Sequence, residues 1–302
     1  MIFCGCANSE QSSVQNSPSL QRQATASHRA DEVQKPPENT LARIVPDFPT
    51  AATDLCAISS GRGEVTYRWA RNGTVIQREN RPALSRNHFS KGDEISVIVT
   101  AGRKEGTASV VIGNSLPQIT SVRISPEHIY RGVDMTAAPE AMDPDGDQVR
   151  LNYRWSINDV DLPVNEPVLR GDVFKRGDRV ILTIIPSDGE DEGTPFISRS
   201  FTIQNAPPGF VSVPPKDFKE ETYAYRAAAE DPDGDALTYS FATAPAGMTI
   251  DSKSGAVTWK INKEHAGTHT IEIIAQDPEG LKAFQKYSLS IAIPKAASGR
   301  NQ

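Results

Sequence analysis

A tryptophan that closes a short alternating segment occurs twice in this chain, each time followed by the same succession of turn signals. Val65-Thr66-Tyr67-Arg68-Trp69, then Arg71-Asn72-Gly73, recurs as Leu151-Asn152-Tyr153-Arg154-Trp155, then Ile157-Asn158-Asp159, with the two tryptophans 86 residues apart. Further on, Phe89-Ser90-Lys91-Gly92-Asp93-Glu94-Ile95 recurs as Phe174-Lys175-Arg176-Gly177-Asp178-Arg179-Val180, and Asn114 with Pro117 recurs as Asn205 with Pro208. Marks repeated in one order mean serial units, each of which buries its own core. Each unit offers short alternating segments, such as residues 95–100 and 180–185, divided by Gly, Asn, Asp or Pro turns, which is the pattern of a small β-sandwich. A tryptophan in a central strand then fills the space between the two sheets, as core rather than as a ligand platform.

Length and composition fit such a string of units. A chain of 302 residues suffices for two or three domains, and 37% hydrophobic residues with a mean hydropathy of -0.44 suit small half-buried sandwiches better than one large core. The expected organisation is all-β, with three tandem immunoglobulin- or cadherin-like β-sandwiches. Residues 41–114 and 115–205 are two immunoglobulin-like sandwiches and 206–294 is a cadherin-like one. Residues 1–40 form a disordered tether and 295–302 a disordered tail. The tether follows from composition, since residues 7–40 are rich in Ser, Gln, Asn and Pro and have almost no large apolar side chains to bury. A formal net charge of -6 without a Lys/Arg-rich stripe excludes a nucleic-acid partner. No apolar run approaches the roughly 18 residues that cross a bilayer as a helix.

The third unit has a different internal text. Tyr223-Ala224-Tyr225-Arg226-Ala227 leads into Asp231-Pro232-Asp233-Gly234-Asp235, Leu237-Thr238-Tyr239-Ser240, Pro245-Ala246-Gly247-Met248-Thr249-Ile250-Asp251 and Gly255-Ala256-Val257-Thr258-Trp259, then residues 269–277 and 287–291. This run resembles the cadherin-like, immunoglobulin-type repeat of dystroglycan and of many bacterial surface proteins, over nearly the whole unit. The first two units resemble immunoglobulin-like repeats of bacterial envelope proteins by weaker marks. The resemblance implies an exported protein at the outer membrane, in the periplasm or at the cell surface.

The pentapeptide Asp-Pro-Asp-Gly-Asp appears twice, at 143–147 and 231–235. It is an efficient turn, because Pro fixes φ, Asp bonds its own backbone and Gly tolerates the closing geometry. It is also three carboxylates in five residues. In a seven-strand sandwich this loop and the loop between the last two strands share the end where the chain enters. The partner loops are Ser187-Asp188-Gly189-Glu190-Asp191-Glu192 in the second unit, near Asn114, and Asp277-Pro278-Glu279-Gly280 in the third. Crowded carboxylates repel, and Ca²⁺, a hard cation taking 6 to 8 oxygens, relieves the repulsion. The candidate ligands are Asp143, Asp145, Asp147 and Asp188 at one seam and Asp231, Asp233, Asp235 and Asp277 at the other. The linker Ile203-Gln204-Asn205-Ala206-Pro207-Pro208 keeps the Asn and Pro of cadherin linkers but lacks their aspartates, so affinity is expected in the weak range of about 10⁻⁴ to 10⁻³ M. An EF-hand is excluded, because the twelfth positions are Arg154 and Ala242, where a bidentate Glu is required. The matching loops of the first unit are mixed or basic, and no metal is expected there.

Other marks carry less. Arg170-Gly171-Asp172 and Arg176-Gly177-Asp178 are RGD triplets, but Gly92-Asp93 and Gly177-Asp178 hold the same place before a strand, so a repeated turn explains the latter. His265 and His269 lie on a turn into a strand, where i and i+4 do not converge as on a helix, which discounts zinc. Cys56 is expected to be a lone buried hydrophobe without a disulfide. Met1-Ile2-Phe3-Cys4-Gly5-Cys6 resembles the end of a lipoprotein signal with Cys6 as the lipidated residue. Few residues precede it where an apolar stretch of about 7 to 15 is needed, so either the chain starts upstream or the match is coincidence. No G-x-S-x-G, H-E-x-x-H or Walker-type run is present. The reading is a non-catalytic surface or periplasmic protein, an adhesive or spacer rod with seams stiffened by Ca²⁺ and membrane contact only through a lipid anchor. The alternative is an accessory subunit of an envelope complex that binds a glycan or a protein at the cell surface.

Overall fold

In the computed structural model, which describes residues 41–216 and 221–292, the repeated turn signals become tight hairpins. Asn72 and Gly73 take left-handed backbone angles (φ 50° and 76°), as do Asn158 and Asp159 (49° and 66°), which is what a two-residue turn matched to strand twist requires. The first hairpin joins Val65–Arg71 to Thr74–Val75. Val65–Arg71 also pairs antiparallel with Glu94–Ala101, placing Trp69 opposite Val97, and Lys104–Val111 completes a four-stranded sheet. Every second residue of Glu94–Ala101 is buried, so one face of the sheet looks into the core. The opposing sheet is Ala42–Val45, Leu55–Ser59 and Ala83–Leu84. Between them lie Leu55, Trp69, Leu84, Ile95, Val97, Val99 and Ile112, all essentially without solvent contact.

The second sandwich repeats these connections. Gln118–Ser125, Met135–Met142 and Val168–Leu169 form one sheet; Val160–Asp161, Arg150–Ile157, Arg179–Ser187, Phe196–Ile197 and Phe201–Thr202 form the other. Its core holds Met135, Trp155, Leu169, Phe174, Val180, Leu182 and Ile184. Backbone bonds recur pair by pair: Ala57 N–H to Pro82 O as Ala137 N–H to Pro167 O, and Ile76 N–H to Trp69 O as Leu162 N–H to Trp155 O.

The third sandwich builds its core from Tyr223, Val257, Trp259, Ile271, Ile273, Ala275 and Leu289. Thr238–Thr243, Gly267–Gln276 and Lys282–Ile291 form one sheet, and Thr222–Arg226, Ala256–Lys260 and Thr249–Ile250 another, with Gly209–Phe210 paired to Ala229–Glu230 beside them. All three tryptophans solve the same problem, a buried indole N–H, in the same way. Trp69 donates to Arg81 O at 2.9 Å, Trp155 to Glu166 O at 2.9 Å and Trp259 to Ala246 O at 3.0 Å. A buried donor without a partner costs about 1–3 kcal/mol.

The described chain is thus all-β, three tandem β-sandwiches, with helix confined to the single turns Arg86–His88 and Lys263–His265. No helix among the described residues is long and apolar enough to cross a membrane. Two compact units divide the chain: one runs to Gln118 and adds Ala141–Arg150 and Pro186–Thr194, and the other holds Ile119–Glu140, Leu151–Ile185 and the chain from Pro195. The expected tether, tail and lipidation residue Cys6 lie outside the described residues. Cys56, buried in Leu55–Ser59, departs from the expectation made for it, because it is disulfide-bonded.

Candidate functional site at two acidic loop clusters

Each cluster begins from a turn that the repeat had already marked. Gly92 and Gly177 adopt φ 84° and 85°, angles that side chains disfavour, and their N–H groups donate to Ile112 O and Ile203 O at 2.8 and 2.9 Å. The next residues, Asp93 and Asp178, are buried. Asp93 accepts from Asn72 Nδ2 at 2.7 Å and Ser90 N at 2.7 Å; Asp178 accepts from Asn158 Nδ2 and Lys175 N, both at 2.9 Å. Burial opposes the charge on Asp93, but the Ser90 amide, Asn72 and Arg71 outweigh it and hold its pKa below the ordinary carboxylate value. The aspartate of Arg176-Gly177-Asp178 is therefore spent inside its own turn. Asp172 of the other RGD triplet is exposed and paired with Arg170 at 3.2 Å.

The first cluster lies wholly in the first of the two compact units. Lys91 Nζ reaches Asp147 Oδ2 at 2.9 Å and Glu190 Oε1 at 2.7 Å. Asn114 Nδ2 donates to Asp188 Oδ2 at 2.8 Å and Asp191 Oδ2 at 2.9 Å. Ser115 donates twice to Asp145, from its amide at 2.6 Å and its hydroxyl at 3.0 Å. Asp143 Oδ1 closes its own loop by accepting from Asp145 N at 2.7 Å. The Asp191 amide, then the Asn114 side chain, lower the Asp188 pKa to about 2.

The second cluster lies wholly in the second of the two compact units and repeats the first. Arg176 reaches Asp235 through both terminal nitrogens, at 2.6 and 3.1 Å, and Glu279 Oε1 at 2.8 Å, and it also donates to Asn205 Oδ1 at 2.5 Å. Asn205 Nδ2 donates to Asp277 Oδ2 at 2.6 Å, and Ala206 N to Asp233 Oδ2 at 2.8 Å. Asp231 Oδ1 accepts from Asp233 N at 2.8 Å, and the buried Asp277 caps its own turn by accepting from Gly280 N at 2.6 Å and Leu281 N at 2.8 Å. The Arg176 guanidinium lowers the Asp235 pKa.

All eight aspartates named from the sequence thus fall into these two clusters, four in each. Glu190, Glu279, Asp191 and the cations Lys91 and Arg176 were not among the expected site residues. The available signal was the shared x-Gly-Asp turn, whose first residue is basic in both copies. Among the described residues, four buried side-chain oxygens have no hydrogen-bond partner: Asn114 Oδ1 and Asp143 Oδ2 in the first cluster, Asp231 Oδ2 and Asp233 Oδ1 in the second. Asp143, Asp145 and Asp147 can also bring one oxygen each within 4.8 Å of one another. His265 and His269 flank the Trp259 ring, with centroids 4.8 and 5.0 Å away.

Residues 201–292 match the family described as "Putative Ig domain". A search of curated proteins gives no match. Among solved structures, the chain is similar to extracellular domains 3–5 of Drosophila OTK, with 8% identity and a TM-score of 0.32 over 79% of this chain and 91% of that one. It is also similar to immunoglobulin domains 1–5 of Sidekick-1, with 17% identity and a TM-score of 0.31 over 83% and 59% of the two chains. Mouse Cadherin-23 EC22-24 gives 13% identity and a TM-score of 0.26 over 84% and 99%.

Proposed function

We propose that this chain is a non-catalytic, exported modular protein of the cell surface or periplasm, in which domains 41–114, 115–205 and 206–294 act in series as an adhesive or spacer element. The observation that carries this reading is the twice-built acidic cluster. In both copies a basic residue of one sandwich, the Asn that follows its last strand and the residue after that Asn engage two apex loops of the next sandwich. Such a network joins loops far apart in sequence, as a connector must. Its partners are proteins or glycans of the surface, and anchoring through lipidation of Cys6 belongs to the same reading.

Calcium is a second reading, favoured by the four orphaned oxygens. Asp143, Asp145, Asp147 and Asp188, and in the second cluster Asp231, Asp233, Asp235 and Asp277, would hold the ion. Most of their oxygens already accept hydrogen bonds, so water would complete the 6 to 8 ligands that Ca²⁺ takes, and affinity would be weak.

Small-angle scattering and thermal melting of the full chain, in chelator and at roughly 5 mM Ca²⁺, the upper end of what weak extracellular sites need, test both. The serial reading predicts a radius of gyration well above the approximately 19 Å of a single 302-residue globule. A value near that figure sinks it. The calcium reading predicts a melting temperature raised by a few degrees, and an unchanged one removes the metal while leaving the spacer.

A further inference from the structure

Lys91 and Arg176 open the x-Gly-Asp turns, and each contacts two loops at once. The Lys91 ammonium ties Asp147 of one apex loop to Glu190 of the other, and the Arg176 guanidinium ties Asp235 to Glu279. Both side chains rise from a backbone fixed by the buried Asp93 or Asp178, so the charge is presented from a rigid base. We propose that Lys91 and Arg176 are resident counter-ions that lock each junction, doing with a protein cation what a metal ion would otherwise have to do. This deepens the serial reading above and rests on it.

The chemistry favours a cation at these points. The first cluster gathers six carboxylates (Asp143, Asp145, Asp147, Asp188, Glu190 and Asp191) and the second gathers five (Asp231, Asp233, Asp235, Asp277 and Glu279). Without a positive charge among them, their mutual repulsion would push the two loops apart. The Lys91 ammonium lies 2.7 Å from Glu190 and 2.9 Å from Asp147, and the Arg176 guanidinium 2.6 Å from Asp235 and 2.8 Å from Glu279, so each cation is within direct ion-pair range of both loops. The two clamps also differ in kind. The ammonium is a point charge, whereas the guanidinium fork engages Asp235 with two nitrogens and still reaches Asn205 and Glu279. Side-chain exposures of 26% for Lys91 and 34% for Arg176 leave both clamps open to screening by salt.

The test is calorimetric melting of the full chain in chelator, at salt concentrations of about 0.1 M and about 1 M, where the screening length falls from about 10 Å to about 3 Å. The variants are Lys91→Met with Arg176→Met, the conservative Lys91→Arg, and Arg170→Met as a control on an exposed ion pair that belongs to neither cluster. The wild type is expected to lose several degrees of melting temperature at high salt. The double methionine variant should melt several degrees lower at low salt, with most of that salt sensitivity gone. Lys91→Arg and Arg170→Met should follow the wild type. A double variant that keeps the wild-type melting temperature and salt response overturns the clamp, as does a Lys91→Arg variant as damaged as the methionine one. The serial reading is judged separately by the scattering of the wild type, so failure of the clamp is told apart from failure of that reading.

Discussion

At Ser115 and Ala206, one hydroxyl separates two otherwise equal sets of donors. The Ser115 hydroxyl satisfies Asp145 Oδ1, whereas Ala206 offers only its amide and leaves Asp233 Oδ1 buried without a partner. Ala206→Ser should therefore stabilise the second unit by about 1 kcal/mol, and Ser115→Ala should cost the first about 1–3 kcal/mol, both read by urea unfolding. A destabilised Ala206→Ser protein would show that the orphan oxygen is satisfied in another way. Asp93 makes a separate prediction about pH. Its folded pKa lies below its unfolded one, so its contribution is complete above the ordinary aspartate pKa of about 3.9 and is lost as pH falls toward the folded value. Asp93→Asn should remove that part of the acid sensitivity of the melting temperature, and an unchanged acid limb would contradict the assignment.

Among the elements, the hairpins and tryptophan strands were legible because their signals are local. Asn72-Gly73 and Asn158-Asp159 specify a turn by backbone preference alone, and Trp69 and Trp155 mark the strand that each hairpin leaves. The Asp-Pro-Asp-Gly-Asp loops and their Asn partners could be read for the same reason, from a repeated spacing. For Lys91 and Arg176 the repeat offered only a shared basic position, since their carboxylate partners lie 56 to 103 residues away and nothing near the turn names those partners. Gly193 is another position where only the fold speaks. A Cβ there would fall 1.9 Å from the Pro117 carbonyl oxygen, which is backbone and cannot swing aside. Gly193→Ala should lower the stability of the first unit by about 1–3 kcal/mol, the usual cost of overpacking. Wild-type stability in chemical denaturation would mean that the loop Pro186–Thr194 does not pack there.

For the molecule, the same arrangement of donors and acceptors is built twice, and the proposal is that it joins three small cores in series. Each sandwich buries its own tryptophan, the clusters connect loops of different sandwiches, and Asn205 is the side chain through which the second cluster is entered. A double-mutant cycle on Asn205 and Asp277 in the full chain tests this most directly. Asp277 also caps its own turn, and the cycle subtracts that role because it is lost equally with and without Asn205. Combining Asn205→Ala and Asp277→Ala should reveal a coupling of about 1 kcal/mol or more in equilibrium unfolding of the second unit; effects that add to within about 0.3–0.5 kcal/mol, as independent sites do, would contradict the account.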